Sequence, residues 1–355
     1  MRVLRKLLVV SVFFLFITGC TQEETENHVA LAKYAVILNK QDHIYTTDDE
    51  IVILTYTHDG KMLDEYTINA AANNKVEDEN ILMLYEDSGY IAKYRKDQNT
   101  WDSIKLPEPS VDHLDLADDE YAIVQNIGYQ KSWDRYNSRI LVFNQKNEEV
   151  ERIERMNSKL QVFAVKLTDE FIYYIADDLN NQDPTHYLVS YHRASKTETK
   201  RAIKSQGYRF VTFENGQYYV SENGLANVAS DEEICFPQEI IEKLQNDFLS
   251  DVYVEDGYLT LVIQPGTFND RTDSILYELK RQEHSFVIQR KVTILNLRSI
   301  SQIHDDMFLI ICEKGQDHFN FYIMDREGNK KEILFDDSLQ PYVDKYVLTD
   351  IFDIS

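Results

Sequence analysis

Two stretches of the chain gather the oxygen-bearing side chains that bind hard cations. Residues 177–183 have the sequence DDLNNQD, and residues 269–273 have the sequence NDRTD. Calcium favours carboxylate and amide oxygens from loops of this kind. Both stretches lack the alternating ligands and closing glutamate of an EF-hand loop, so solvated acidic turns are favoured and calcium is the alternative. The weak candidate ligands are Asp177, Asp178, Asp183, Asp270 and Asp273.

Patterns for other chemistries are missing from the sequence. The nine histidines form no HxH, HxxxH or HExxH motif, and there is no GxSxG nucleophile elbow or glycine-rich phosphate loop. Cys312 ends the apolar run FLII, which predicts a buried side chain rather than a reactive thiol. A disulfide between Cys312 and Cys235 is not expected. The sequence therefore assigns no catalytic residue and no cofactor.

The first twenty residues, MRVLRKLLVVSVFFLFITGC, have the order of a secretory signal. Three basic residues precede an apolar run at 7–16, which is shorter than the roughly 17–25 residues of a membrane-spanning helix. The run ends at Ile17-Thr18-Gly19-Cys20. This pattern resembles the lipobox of bacterial lipoproteins. The resemblance implies cleavage after Gly19, a diacylglyceryl group on Cys20, and a lipid-anchored protein on the extracytoplasmic face of the cell membrane.

The charge of the chain limits its partners. The formal net charge is -24, and residues 1–19 contribute three positive charges and no acid, so the remainder is more negative still. Such a surface repels phosphate backbones, which argues against a nucleic-acid partner. It also predicts a domain that stands off an anionic membrane.

After the signal at 1–19, we expect a lipidated cysteine and tether at 20–33 and one folded domain at 34–355. Within that domain a phrase recurs: an acidic or polar turn followed by a run of alternating apolar residues. Its seven instances begin near residues 48, 78, 118, 168, 215, 256 and 305. A period near 40 residues with several strands per unit is typical of β-propeller blades.

The predicted fold is therefore all-β, a propeller of about seven four-stranded blades, with six or eight as alternatives. A pair of β-sandwiches and a two-lobed solute-binding fold are disfavoured. The stretch at 237–249 (PQEIIEKLQNDFL) alone predicts a helix, since its apolar residues fall on one face behind Pro237.

One stretch carries a further resemblance. Residues 94–101 (YRKDQNTW), followed by Leu106-Pro107, resemble the second half of a kelch repeat. The double glycine that precedes this phrase in kelch proteins is absent, and the other repeats do not carry it. The resemblance supports a propeller without implying kelch membership.

Propellers usually bind partners through their longer loops, which here are residues 125–138, 176–186 and 264–274. The first loop interleaves aromatic and cationic side chains on an otherwise acidic chain. These candidate binding residues are Tyr129, Lys131, Trp133, Arg135 and Tyr136. The alternative is that Trp133 folds back onto the propeller.

The favoured function is non-catalytic: a binding or scaffolding surface for an envelope protein, a peptide or a glycan. The alternative is a glycan-active or lactonase-like hydrolase with its site in the central channel. An enzyme should gather carboxylates at one mouth of the channel, whereas a scaffold should present an aromatic patch on its rim. A sensor or immunity lipoprotein is a third reading that the sequence does not separate from the first.

Replacement of the candidate lipidation residue gives the first test. Cys20→Ser removes the thiol that would carry the lipid, so we expect an unprocessed precursor without a diacylglyceryl group. Mass spectrometry of the N-terminal peptide, together with detergent partitioning, measures this. Normal lipidation of Cys20→Ser would contradict the assignment.

Overall fold

A computed structural model describes residues 32–40, 50–72, 74–78, 80–86, 89–108, 110–130, 135–155, 160–178, 185–204, 207–230, 232–266, 273–303, 307–315 and 318–355. These residues form β-strands almost throughout, with two short helices, α1 (Gln238–Leu244) and α2 (Gln340–Val343). The strands are β1 (Tyr34–Lys40), β2 (Glu50–Tyr56), β3 (Met62–Asn69), β4 (Asn74–Glu77), β5 (Ile81–Tyr85), β6 (Tyr90–Arg95), β7 (Thr100–Lys105), β8 (His113–Ala117), β9 (Glu120–Gln130), β10 (Arg135–Asn144), β11 (Glu149–Arg155), β12 (Leu160–Leu167), β13 (Phe171–Asp178), β14 (Thr185–His192), β15 (Thr197–Ile203), β16 (Gly207–Phe213), β17 (Gly216–Ser221), β18 (Gly224–Asn227), β19 (Glu233–Cys235), β20 (Asp247–Glu255), β21 (Tyr258–Pro265), β22 (Ser274–Gln282), β23 (Ser285–Ile294), β24 (Leu297–Ile303), β25 (Met307–Gly315), β26 (His318–Asp325), β27 (Lys330–Ile333) and β28 (Tyr346–Asp353).

The described strands form seven four-stranded antiparallel blades, which confirms the predicted propeller. Blade 1 has the order β28-β1-β2-β3, and blades 2 to 7 each use four consecutive strands, from β4–β7 through β24–β27. The inner strands are β4, β8, β12, β16, β20, β24 and β28. They contact one another around the centre: β4 with β8, β8 with β12, β12 with β16, β16 with β20, and β24 with β28. A single parallel pairing, Cys235 with Ser285, joins the outer edges of blades 5 and 6.

The two ends of the described chain close the ring within blade 1. β28 supplies the inner strand, pairing antiparallel with β1 from Tyr34–Asp353 to Lys40–Tyr346. The backbone N–H of Ile354 donates to the Lys33 carbonyl at 2.9 Å. The Lys33 ammonium also lies 2.5 Å from an oxygen of Asp353. Closure therefore joins residues more than 300 positions apart in sequence.

The repeated sequence phrase has a consistent place in the blades. In blades 2 to 7 its apolar run is the second strand, and its acidic turn joins the inner strand to the second one. In blade 1 the run at 51–54 lies in β2, which is the third strand. The difference arises because the C-terminal β28 takes the inner position there and displaces the phrase by one strand.

Apolar packing lies between neighbouring blades. Each pair of neighbours shares one cluster of buried residues, which accounts for seven clusters within the described chain. β1 shows how one strand serves two of them. Ala35 and Ile37 pack toward blade 2, whereas Val36 and Leu38 pack toward blade 7. Because successive side chains point to opposite faces, a strand buried on both faces has a continuous apolar run.

The kelch-like stretch lies in one of these clusters. Tyr94 and Trp101 are cross-strand partners in the β6–β7 hairpin, with ring centroids 4.8 Å apart. Both residues are buried between blades 1 and 2. The Tyr94 hydroxyl donates to the Asn99 side chain at 2.8 Å and lies 3.3 Å from the Ile354 carbonyl. The aromatic pair therefore supports the hairpin and the ring closure.

The predicted helix at 237–249 is shorter in the structure. α1 ends at Leu244, and Phe248 and Leu249 belong to the inner strand β20. The helical spacing holds for Ile240 and Leu244, which are buried, but strand pairing with β21 overrides it further along. The second helix, α2, was not predicted, because four residues are too few to establish a helical period.

Gly60 provides a test of the packing between blades 7 and 1. Its φ is +78°, and a Cβ added there would lie 1.9 Å from the Leu334 carbonyl oxygen. Gly257 has a φ of +76° but open space around the same position. Both changes to alanine share the backbone strain, whereas Gly60→Ala adds overpacking that costs about 1–3 kcal/mol.

We therefore expect Gly60→Ala to lower the free energy of unfolding of residues 28–355 by that much more than Gly257→Ala, measured by urea denaturation. Equal losses in the two variants would contradict the close blade contact.

Candidate functional site

The central channel is lined by polar side chains from the inner strands. It joins two faces of the propeller. We name the face where inner strands end the turn face, because the turns into the second strands lie there. We name the opposite face the loop face, because it carries the connections between the second and third strands.

Lys75 links three blades across the channel. Its ammonium donates to the Ile300 carbonyl at 2.7 Å and to the Ser301 hydroxyl at 2.5 Å, and it lies 3.0 Å from Asp350. The Asp350 carboxylate also accepts hydrogen bonds from the Ser299 hydroxyl and from the backbone N–H of Ile351. Lys75 and Asp350 are both largely buried. The pair therefore holds blade 2 to blades 7 and 1.

A second group of titratable side chains joins blades 3 and 4. The ammonium of Lys166 lies 3.1 Å from Asp115, which also accepts a hydrogen bond of 2.8 Å from the Leu167 backbone. Burial raises the pKa of Asp115, although Lys166 opposes the shift. The backbone N–H of Val165 faces Nδ1 of His113 at 3.4 Å. Burial, helped by the positive charges of Arg209 and Lys166, lowers the pKa of His113 to about 3.

The pKa shifts of His113 and Tyr253 set the protonation states of these two side chains near neutral pH. His113 is uncharged there, with Nδ1 as acceptor and the ring proton on Nε2. Burial also raises the pKa of Tyr253 well above its ordinary value, so its hydroxyl stays protonated and donates to the Ile300 carbonyl at 2.9 Å. The Lys166–Asp115 ion pair and the Tyr253 hydrogen bond therefore hold neighbouring inner strands together.

A cavity of about 390 Å³ occupies the turn-face end of the channel, lined by β4, β16, β20, β24 and the end of β28. Five carboxylates line it. Asp78 accepts hydrogen bonds from the backbone N–H groups of Asn80 and Ile81, and Asp251 lies 3.8 Å from Arg209. Glu77 lies 2.5 Å from Lys96, and Asp353 lies 2.5 Å from Lys33. Glu255 accepts a hydrogen bond from Gln302. The channel thus gathers carboxylates at one mouth, as an enzyme would, but each of these five already has a donor or cationic partner.

The predicted binding loops are the connections between second and third strands of blades 3, 4 and 6, so all three lie on the loop face. The β9–β10 hairpin extends furthest relative to its inner strand. β8 begins at His113 opposite Val124, whereas β9 continues to Gln130. Part of this difference reflects the short β8, which has five residues. β9 has 11 residues, whereas the second strands of blades 4, 6 and 7 have 8, 8 and 9, so at about 3.3 Å per residue β9 is longer by roughly 7–10 Å.

The five candidate residues belong to the end of this hairpin. Tyr129 lies in β9, and Arg135 and Tyr136 lie in β10, but only their backbone belongs to the described structure. Lys131 and Trp133 lie outside the described residues. The structure therefore places the hairpin and leaves the aromatic and cationic surface a prediction.

The candidate metal ligands fall on different blades. Asp177 is buried in blade 4 and lies 2.6 Å from Nδ1 of His186, a cross-strand partner that the sequence did not suggest. Asp178 follows it in β13, and Asp273 is exposed before β22 of blade 6. Asp183 and Asp270 lie outside the described residues. Within the described part of the chain, no three His, Cys, Asp or Glu side chains are arranged to hold a metal ion.

Both cysteines in the described domain are free. Cys312 is buried, as its apolar run predicts, and Cys235 is exposed. The fold places them in blades 7 and 5, in strands β25 and β19. In the described residues, no helix is both long and apolar enough to cross a bilayer.

Comparison with known proteins identifies the fold alone. No family model matches the chain, and no curated protein matches it. A functionally unknown protein from Desulfotomaculum acetoxidans has a TM-score of 0.54 at 8% identity, over 91% of this chain and 99% of that one. The acylaminoacyl peptidase of Pyrococcus horikoshii has a TM-score of 0.54 at 10% identity, over 89% of this chain and 52% of that one. The chain thus spans about half the length of the peptidase.

The pKa of His113 leads to a pH prediction. The unfolded chain takes up a proton near the ordinary histidine pKa of 6.5, whereas the folded protein takes it up only near 3. Stability is therefore complete above pH 6.5 and falls as the pH drops toward 3. This one group should remove about 2 kcal/mol of the free energy of unfolding between pH 7 and pH 5.

His113→Gln should remove that part of the pH dependence, whereas His284→Gln, at an exposed turn, should keep it. Urea denaturation at pH 7, 6 and 5 measures the difference. The same slope in His113→Gln as in the unmodified protein would contradict the buried neutral histidine.

Proposed function

We propose that this protein is a lipid-anchored, extracytoplasmic β-propeller that binds an envelope protein, a peptide or a glycan through its loop face. Cys20 would carry the lipid, and the signal at residues 1–19 would direct export. The seven-bladed fold supports this proposal because rigid blades hold several loops on one surface.

The observation that carries the proposal is the long β9–β10 hairpin. It continues six residues past Val124, where pairing with the inner strand β8 ends. Its base is rigid: the side-chain amide of Asn126 donates to the Val162 carbonyl at 3.2 Å, and Arg139 donates to the Gln125 side chain at 2.7 Å. A hairpin fixed at its base presents its end at low entropic cost, which favours binding.

The channel chemistry favours binding over hydrolysis. Glycosidases need two carboxyl groups that face each other across a substrate, one of them free to donate a proton. In the channel, Asp350 is paired with Lys75, Asp115 with Lys166, and Glu77 with Lys96. These pairs are between neighbouring or nearby strands, so they stabilise the ring. A hydrolase with a site in this channel remains the alternative.

Substitutions at the hairpin end test the proposal. Lys131→Ala with Arg135→Ala removes two cations, and Trp133→Ala removes the aromatic side chain. The matched control is Lys61→Ala with Lys146→Ala, two exposed cations in turns between third and fourth strands. Cross-linking of the lipidated protein in intact cells, followed by mass spectrometry, should identify a partner that both hairpin variants lose at least tenfold and the control retains.

Two results would contradict the proposal. One is that the hairpin variants keep every cross-linked partner. The other is a loss of about 3–5 kcal/mol in the free energy of unfolding of Trp133→Ala, which would mark a core side chain. Hydrolysis of a glycan or lactone by the purified protein, abolished by Glu77→Gln, would establish the alternative.

A further inference from the structure

We infer that the protein is held with its turn face toward the membrane and its loop face pointing away from it. The inference rests on the proposed lipid anchor at Cys20 and adds the direction in which the binding surface is presented. It follows from where the chain enters the propeller and from the length that precedes this point, and the charge of the turn face sets the distance from the membrane.

The chain enters the propeller at the turn face. Tyr34 pairs with Asp353 at the end of the inner strand β28, so residues just before it lie where the inner strands end. The position of Lys33 is fixed on both sides. Its backbone N–H donates to the Tyr56 carbonyl at 2.7 Å, and its carbonyl accepts from Ile354 at 2.9 Å. A lipid on Cys20 is therefore connected to the turn face by a firmly held attachment point.

The segment between Cys20 and the propeller could bring the loop face to the membrane only if it were almost fully extended. Ala32 is twelve residues after Cys20. Even a fully extended chain of this length reaches only about 40 Å. To bring the loop face to the membrane, it would have to pass the outer strands of blade 1 and then follow the height of the propeller. At about 4.8 Å per strand and 3.3 Å per residue, with side chains added, that path is also about 40 Å.

The turn face is acidic, and this sets a gap. The described turns between inner and second strands contain seven acidic residues and no lysine or arginine, namely Asp78, Asp118, Asp119, Asp169, Glu170, Glu214 and Asp256. The described turns between third and fourth strands lie on the same face and carry acidic and basic residues in equal number, so the face keeps a net negative charge. Repulsion from anionic headgroups decays over about 8 Å at physiological salt. A short stand-off, well within the reach of the chain, therefore relieves the repulsion without turning the domain over.

The β9–β10 hairpin consequently lies on the side of the domain that faces away from its own membrane. The partner that fits this surface is an extracytoplasmic macromolecule that approaches from the side opposite the anchor. Lipid headgroups of the anchoring membrane do not meet this surface.

Energy transfer to the membrane surface tests the orientation. A fluorophore is attached to the lipidated full-length protein at Asp169→Cys on the turn face or Leu295→Cys on the loop face. Both positions are exposed, Leu295 by 60%. Each variant also carries Cys235→Ser, because Cys235 is exposed, while the buried Cys312 is kept. The vesicles contain phosphatidylethanolamine and phosphatidylglycerol with an acceptor dye on the headgroup.

We expect transfer from position 169 to exceed transfer from position 295 at least twofold. A twenty-residue Gly-Ser insertion after Asn27 should reduce this difference, because a longer connection releases the constraint. Equal transfer from the two positions with the normal connection, or stronger transfer from position 295, would overturn the orientation.

Flotation separates this inference from the proposal on which it depends. Protein that does not float with the vesicles and carries no lipid on Cys20 would refute the anchor, and the orientation with it. Protein that floats but shows the reverse order of transfer would refute the orientation alone. Loss of a cross-linked partner in the hairpin variants is measured independently of both.

Discussion

No sheet in this molecule can bury its two apolar faces alone, and the rest of the structure follows from that constraint. Each of the seven described blades has an apolar cluster on either side, shared with the next blade. The arrangement is complete only when the first and last blades meet, so a missing blade would expose two faces at once. The pairing of β28 with β1 meets this requirement by building blade 1 from both ends of the domain.

Ion pairs hold neighbouring blades together inside the ring, as apolar clusters do between the blades. The inner strands crowd their polar side chains into a channel, where an unpaired charge would be costly. Lys75 and Asp350 resolve this by pairing between blades 2 and 1, and Lys166 and Asp115 do so between blades 4 and 3. His113 remains uncharged instead. The same pairs that satisfy the channel also fix the inner strands, which supports loops at one face and the chain entry at the other.

Much of the fold could be predicted from the sequence because its signal is periodic. Runs such as ILML at 81–84 alternate between two buried faces, and acidic turns precede them at intervals that match a four-stranded blade. Local patterns predicted the structure less well where pairing between distant residues determines the secondary structure or the contact. Leu249 continues a helical spacing but belongs to β20, and His186 pairs with Asp177 across a hairpin, a contact that no motif indicates. The channel pairs could not be predicted, since Lys75 and Asp350 are 275 residues apart and neither lies in a motif.

The pairing of β28 with β1 in blade 1 also affects the order in which the domain folds. Contacts between residues so distant in sequence form late, because a long loop must be ordered before they contribute. A chain that is synthesised from its N-terminus could assemble blades 2 to 7 in order, but β1 would lack its inner neighbour until residues 346–353 had emerged. Until then the edge of β1 stays available for wrong pairing. The pairing of β28 with β1 is thus the step that commits the whole domain to its native state.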